Sequence, residues 1–132
     1  MANQLGVSAL GAKDALATIA VRDLKRAKEF YEGKLGFSPV PSGEKSVLNY
    51  KSGKSTFMVY VSDFAGTNKA TTVTWIVDDA EEAARALKAK GVVFEHYDFP
   101  GITRKGDIHF AGKLKNVWFK DPDGNILAVV SG

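Results

Sequence analysis

Two histidines, His96 and His109, are the only side chains here whose ordinary pKa lies near neutrality. Proton transfer at physiological pH would therefore fall first to them, as candidate catalytic acid-base residues. Asp107 stands two residues before His109, so a metal set of two imidazoles and one carboxylate is conceivable. Surface histidines that do no chemistry are the plain alternative. The chain has no cysteine, which removes thiolate nucleophiles, CxxC redox chemistry and Cys-type zinc sites, and fits a reducing compartment. Two further motifs imitate catalytic signatures without completing them. Gly53-Lys54-Ser55-Thr56 resembles the end of a phosphate loop, but Leu48 stands where the leading glycine belongs and a strand pattern follows. Gly6-Val7-Ser8-Ala9-Leu10 ends in leucine where a nucleophile elbow needs its second glycine.

The frame that would carry such residues is small. With 132 residues, 45% hydrophobic and 25% charged, the chain has the profile of one soluble domain able to bury a sizeable core without disulfides. Its net charge of +3 comes from residues 1–66, which hold 9 basic and 6 acidic groups, against 9 and 9 in residues 67–132. The lysines form no dense basic stripe, so nucleic acid is not the expected partner. No stretch approaches the roughly 20 apolar residues of a membrane span, and the opening residues lack a secretory pattern. The expectation is a cytoplasmic protein without membrane contact, in which residues 1–14, small and polar, form a loose arm.

Residues 16–21 alternate as a strand, and Asp23 opens a helix with Leu24, Ala27, Phe30, Tyr31 and Leu35 on one face and Gly36 at its end. Residues 71–77 form a second strand, and Asp79 opens a helix with Ala80, Ala83, Ala84 and Leu87 on one face, ended by Gly91. The two Val-x-Asp starts lie 56 residues apart, and three apolar runs follow each: 37–41, 45–50 and 56–61, then 92–97, 115–120 and 125–130. Asp121-Pro122-Asp123-Gly124 has the residues of a tight turn. The pattern is βαβββ twice, an α+β fold with module 1 at about 15–62 and module 2 at about 70–131 in a single domain, 15–131. Residues 98–114 are expected to be a long loop, either a cleft wall or a surface excursion.

Leu16 to Phe37 and Trp118 to Leu127, with their Phe30-Tyr31…Leu35-Gly36-Phe37 and Asp121-Pro122-Asp123-Gly124-Asn125 segments, resemble the opening and closing modules of the vicinal-oxygen-chelate superfamily, which includes glyoxalase I, bleomycin resistance proteins and extradiol dioxygenases. The resemblance implies two βαβββ modules whose curved mixed sheets surround a cleft, with helices on the outer face, usually in a homodimer. It also implies four metal-ligand positions, which here are Leu16, Met58, Thr72 and Ala128. Leu and Ala offer no donor, Met a soft thioether and Thr a weak neutral oxygen. No metal and no other cofactor are therefore expected.

Strand alternation then assigns the faces. Leu16, Thr18, Met58, Tyr60, Thr72, Thr74, Trp118 and Ala128, joined by Asn49, share the cleft side; Trp75 and Phe119 belong to the core. Such a pocket is largely apolar, with hydroxyls and an indole N–H to orient a ligand. The expected function is a metal-independent binding protein for a small apolar or aromatic molecule, and the basic balance disfavours a cationic glycopeptide such as bleomycin. The alternatives are a glyoxalase-type lyase, isomerase or dioxygenase using displaced ligands or a histidine, and an interaction module whose cleft is vestigial.

Overall fold

The structure, a computed structural model, describes residues 9–132; most of the expected arm, residues 1–8, lies outside them, and residues 9–14 are exposed. β1 (Ala17–Val21) leads through Asp23 into α1 (Leu24–Lys28). The Asp23 carboxylate accepts the Lys25 N–H at 2.9 Å, satisfying a donor that the first helical turn leaves free. From Glu29 to Lys34 the helix widens to π winding, and the Leu35 N–H reaches back five residues to the Phe30 carbonyl at 3.0 Å. In this wider turn Phe30 and Tyr31, adjacent in sequence, are both buried. Gly36, at φ 79°, then ends the helix.

β2 (Ser38–Val40), β3 (Val47–Ser52) and β4 (Ser55–Val61) complete a sheet in the order β1-β4-β3-β2, with β1 parallel to β4 and the other pairs antiparallel. The second unit repeats the plan. β5 (Thr71–Ile76) is followed by α2 (Ala80–Ala89), whose cap Asp79 accepts the Glu81 N–H at 3.0 Å. β5 runs parallel to β10 (Ile126–Ser131), which is antiparallel to β9 (Leu114–Lys120). In each unit the helix supplies the crossover that a parallel pair requires. These are two mixed sheets, curled but not closed, built from βαβββ modules in an α+β fold.

Residues 98–114 differ from the expectation. They hold β7 (Thr103–Lys105) and β8 (Ile108–Ala111), an antiparallel hairpin whose second strand pairs with β9 and extends the sheet to β5-β10-β9-β8-β7. The run at 92–97 contributes only the two-residue β6 (Phe94–Glu95), paired with Phe119 and Trp118 of β9. The turn residues account for the hairpin: Gly106 and Gly112 take φ 63° and 61° in the two tight connections flanking β8, a conformation open to glycine at no steric cost.

The helix sides of both sheets share one core, with Ile19, Tyr31, Phe57 and Val59 from the first unit and Val117, Phe119, Leu127 and Val129 from the second. Trp75 packs there as expected, half-buried, stacked on Phe37 at 5.4 Å and donating its indole N–H to Ser52 Oγ at 3.0 Å. A buried carboxylate fastens the units together. Asp121 accepts the Tyr31 hydroxyl at 2.8 Å, the Asp123 and Asn125 amides at 2.9 Å each, and the Asn125 side-chain amide at 2.8 Å. Asn125 Nδ2 also donates to the Ala20 carbonyl of β1 at 2.7 Å. The tight turn read from the sequence is thus also a latch between units. Burial, then the Asp121 charge, push the Tyr31 phenol far above its ordinary pKa, so it stays a donor.

Candidate functional site

Each sheet turns one face to its helix and leaves the other open. On the first sheet the open face carries a row formed by strand register: Thr18 opposite Met58, and Met58 opposite Asn49. Ala20, Tyr60 and Val47 make the next row. Met58 and Tyr60 are half-buried between the buried Phe57 and Val59 of the helix side, which is the expected alternation. Leu16 precedes β1, is exposed, and lines a cavity of about 630 Å³ with Asp14, Lys54, Ser55 and Thr56.

The open face of the second sheet repeats the row. Thr74 lies opposite Ala128, Ala128 opposite Trp118, and Trp118 opposite Glu95. Ala128 is 3% exposed despite facing away from the core, because its small side chain sits on the central strand beside the Trp118 indole. Trp118 donates its indole N–H to Thr71 Oγ1 at 3.1 Å. The structure adds residues that the sequence reading passed over. Tyr97 and Phe99 pack on Trp118 at ring separations of 5.5 and 6.0 Å, and on each other at 5.8 Å. Their signal was the alternation continuing from Phe94 through Glu95 to Tyr97, obscured by the irregular segment after β6. The Tyr97 hydroxyl and His109 Nδ1, both in this aromatic group, and the Thr72 hydroxyl of β5 are buried without a partner in the structure.

The two rows are not joined within one chain. β1 and β5 are the edges of separate sheets. The structure therefore groups Thr18, Asn49, Met58 and Tyr60 on one sheet and Thr72, Thr74, Trp118 and Ala128 on the other.

The two histidines face different ways. His109 is fully buried on the open side of β8, edge-on to Trp118 at 4.8 Å, and its Nε2 accepts the Tyr97 N–H at 2.9 Å. That bond places the ring hydrogen on Nδ1 and keeps the imidazole neutral. Burial pushes its pKa below the ordinary value, against the opposing pull of the Asn116 and Asp107 backbone. Protonating Nε2 would break the bond to Tyr97, so His109 is a pin for the segment after β6. His96 lies 2.8 Å from Asp107 Oδ1, with Lys88 3.5 Å from the other carboxylate oxygen. The His96 hydrogen bond and the Lys88 charge hold the Asp107 carboxyl below its usual range. His96, Asp107 and Lys88 meet beside α2, so the conceivable set of His96, His109 and Asp107 does not converge.

The match to the family model "Glyoxalase/Bleomycin resistance protein/Dioxygenase superfamily" runs over residues 14–129. The chain belongs to this superfamily. A search of curated protein sequences gives no match. Among solved structures the chain is similar to lactoylglutathione lyase from Agrobacterium tumefaciens, at 17% identity and TM-score 0.68, covering 92% of this chain and 94% of that one. It is also similar to the fosfomycin resistance protein FosX from Listeria monocytogenes, at 14% identity and TM-score 0.67 over 92% and 93%. A third likeness is TnmS3, an antibiotic binding protein from Streptomyces sp. CB03234, at 19% identity and TM-score 0.60 over 91% and 97%. At these identities the likeness concerns the fold alone.

The metal chemistry of the superfamily does not fit the residues present. The family resemblance assigns the ion's ligand positions to Leu16, Met58, Thr72 and Ala128, and these side chains supply no carboxylate and no imidazole. Among the described residues no group of three or more His, Asp or Glu side chains stands close enough to share an ion. Nor, among them, is any helix long and apolar enough to cross a membrane.

Proposed function

We propose that this superfamily member is a metal-independent small-molecule-binding protein that holds an apolar or aromatic ligand against the open sheet faces. The observation that carries this reading is the wall of Trp118, Tyr97 and Phe99 facing away from the core, with the Tyr97 hydroxyl left unpartnered. Rings give contact area and a free hydroxyl gives orientation, the usual division in a ligand site. Thr74 and Ala128 keep the sheet floor flat. Leu16, Thr18, Asn49, Met58 and Tyr60 form the opposing half. Since the two rows lie on separate sheets, a second copy would bring one half against the other, and the proposed working unit is a cytoplasmic homodimer of the 15–131 domain. The rival reading, an enzyme running through His96 or His109, has less support: one histidine is shut in as an acceptor and the other lies on the helix side.

Thermal-shift and fluorescence titration with neutral, anionic and aromatic compound sets, run beside elemental analysis of protein purified without chelator, tests this. The expected result is saturable binding of a planar compound, weakened tenfold or more by Trp118→Ala, in protein that carries no stoichiometric metal. Stoichiometric tight metal, or the absence of any compound whose binding Trp118→Ala weakens, would overturn it.

A further inference from the structure

A second apolar recess lies on the opposite side of the second sheet, where α2 and the end of the first helix leave a gap of about 280 Å³. Phe119 and Val129, both buried, lie beneath it, and Phe37 and Trp75 present their stacked rings along one side. Leu87 bounds it on α2, where Ala83 and Ala86 are too small to fill the space. No charged side chain lines it, and the Trp75 indole N–H is already given to Ser52 Oγ. A ligand group lodged there therefore finds no hydrogen-bond partner, and a polar one would lose its water without replacement.

We infer that this recess is a second binding site, separate from the open sheet faces, for an uncharged two-ring aromatic molecule of hydrocarbon character. Size sets the ring count: a cavity of about 150 Å³ takes benzene, and this one is roughly twice as large. The near-parallel Phe37 and Trp75 rings, 28° apart, offer a surface on which a flat molecule stacks. A protein partner fits less well. Nine residues line the recess, against about 20–30 a side in a stable interface. The exposed Glu82, Arg85 and Lys90 of α2 and its end also break the apolar surface around it, and charged groups of this kind are depleted from interface cores.

Naphthalene is the probe, titrated into the full chain while the two indole N–H resonances are followed by NMR and affinity is measured by calorimetry. Trp75→Phe and Trp118→Phe assign the two signals. The expected result is saturable movement of the Trp75 signal with Trp118 unmoved. Ala86→Leu, a change at an exposed helix position, fills the recess and weakens binding at least tenfold without lowering the melting temperature. Ala83→Leu provides the second filling variant. Absence of saturable binding, movement confined to Trp118, or undiminished affinity in both variants would overturn the inference. So would a change of oligomeric mass in Ala86→Leu by light scattering, since that would make a second copy the occupant. Trp118→Ala leaves naphthalene binding unchanged, so failure here and failure of the open-face reading are told apart.

Discussion

Tyr31→Phe removes a single oxygen and tests whether the Asp121 latch holds the two units together. The Tyr31 hydroxyl gives Asp121 Oδ2 one of its two hydrogen bonds, at 2.8 Å, and Asp121 is 5% exposed. Water has little access to replace the lost donor. A hydrogen bond to a charged group is worth about 1.5–3 kcal/mol, and the phenyl ring keeps its packing on Phe30 and Tyr50. The expected loss of stability is therefore about 1.5–3 kcal/mol, or roughly 6–12 °C in melting temperature for a chain of this size. Urea unfolding at fixed protein concentration measures it, with the slope against denaturant unchanged. A double-mutant cycle with Asp121→Asn isolates the pair, and the expected coupling is about 1 kcal/mol or more. A loss below about 0.5 kcal/mol, or an additive cycle, would refute the claim that this bond bears on stability.

Two further substitutions test other parts of the frame. Burial holds the His109 pKa below its unfolded value of 6.5, so the unfolded chain binds this proton more readily. Stability linked to His109 is complete above about pH 6.5 and falls as pH drops through the window down to the lowered folded value. His109→Gln keeps an acceptor for the Tyr97 N–H and removes the proton site, so urea midpoints at pH 7.5 and 5.5 should differ less than in the parent. An equal acid slope in the variant counts against the assignment; the Asp107 contribution lies lower, below about pH 4, and does not interfere. Gly66 holds φ 73°, and a Cβ there would overlap the Asp123 carbonyl oxygen. Gly66→Ala is expected to cost about 2 kcal/mol or more by thermal melting, and a neutral result would show that the segment after β4 does not press on the 121–125 turn.

Alternation made most of the sheets legible. Because successive strand residues face opposite ways, Phe57 and Val59 could be placed in the core and Met58 and Tyr60 opposite from the sequence pattern, and Phe119 could be separated from Trp118. What failed was hidden by length. β6, β7 and β8 span two, three and four residues, too few for a period to declare itself, although Gly106-Asp107 and Gly112-Lys113 mark two-residue connections. The π winding after Lys28 was equally silent. Phe30 and Tyr31 both fit the apolar face of an ordinary helix, and only the Leu35 to Phe30 hydrogen bond shows how two adjacent large rings enter one core. His109, for which a surface position was the plain expectation, is buried with its Nε2 accepting the Tyr97 amide; its apolar neighbours Ile108 and Phe110 carried the signal.

The family signature and the candidate site draw on different residues, which is why one was legible and the other only in part. Asp23 caps α1, Tyr31 and Asn125 bind Asp121, and Gly36 takes the positive φ that ends the helix. Each of these five residues has a task in backbone satisfaction or in joining the units, and none of the five belongs to the open-face rows. The open-face positions Thr18, Met58, Thr74 and Ala128 have no such task beyond lying flat in a strand, so the fold does not fix which side chains stand there. Substitution there leaves the scaffold intact and changes only what the face can hold. By the same reasoning Tyr97 and Phe99, supplied by the irregular segment that His109 pins, are where the identity of an aromatic ligand would be decided.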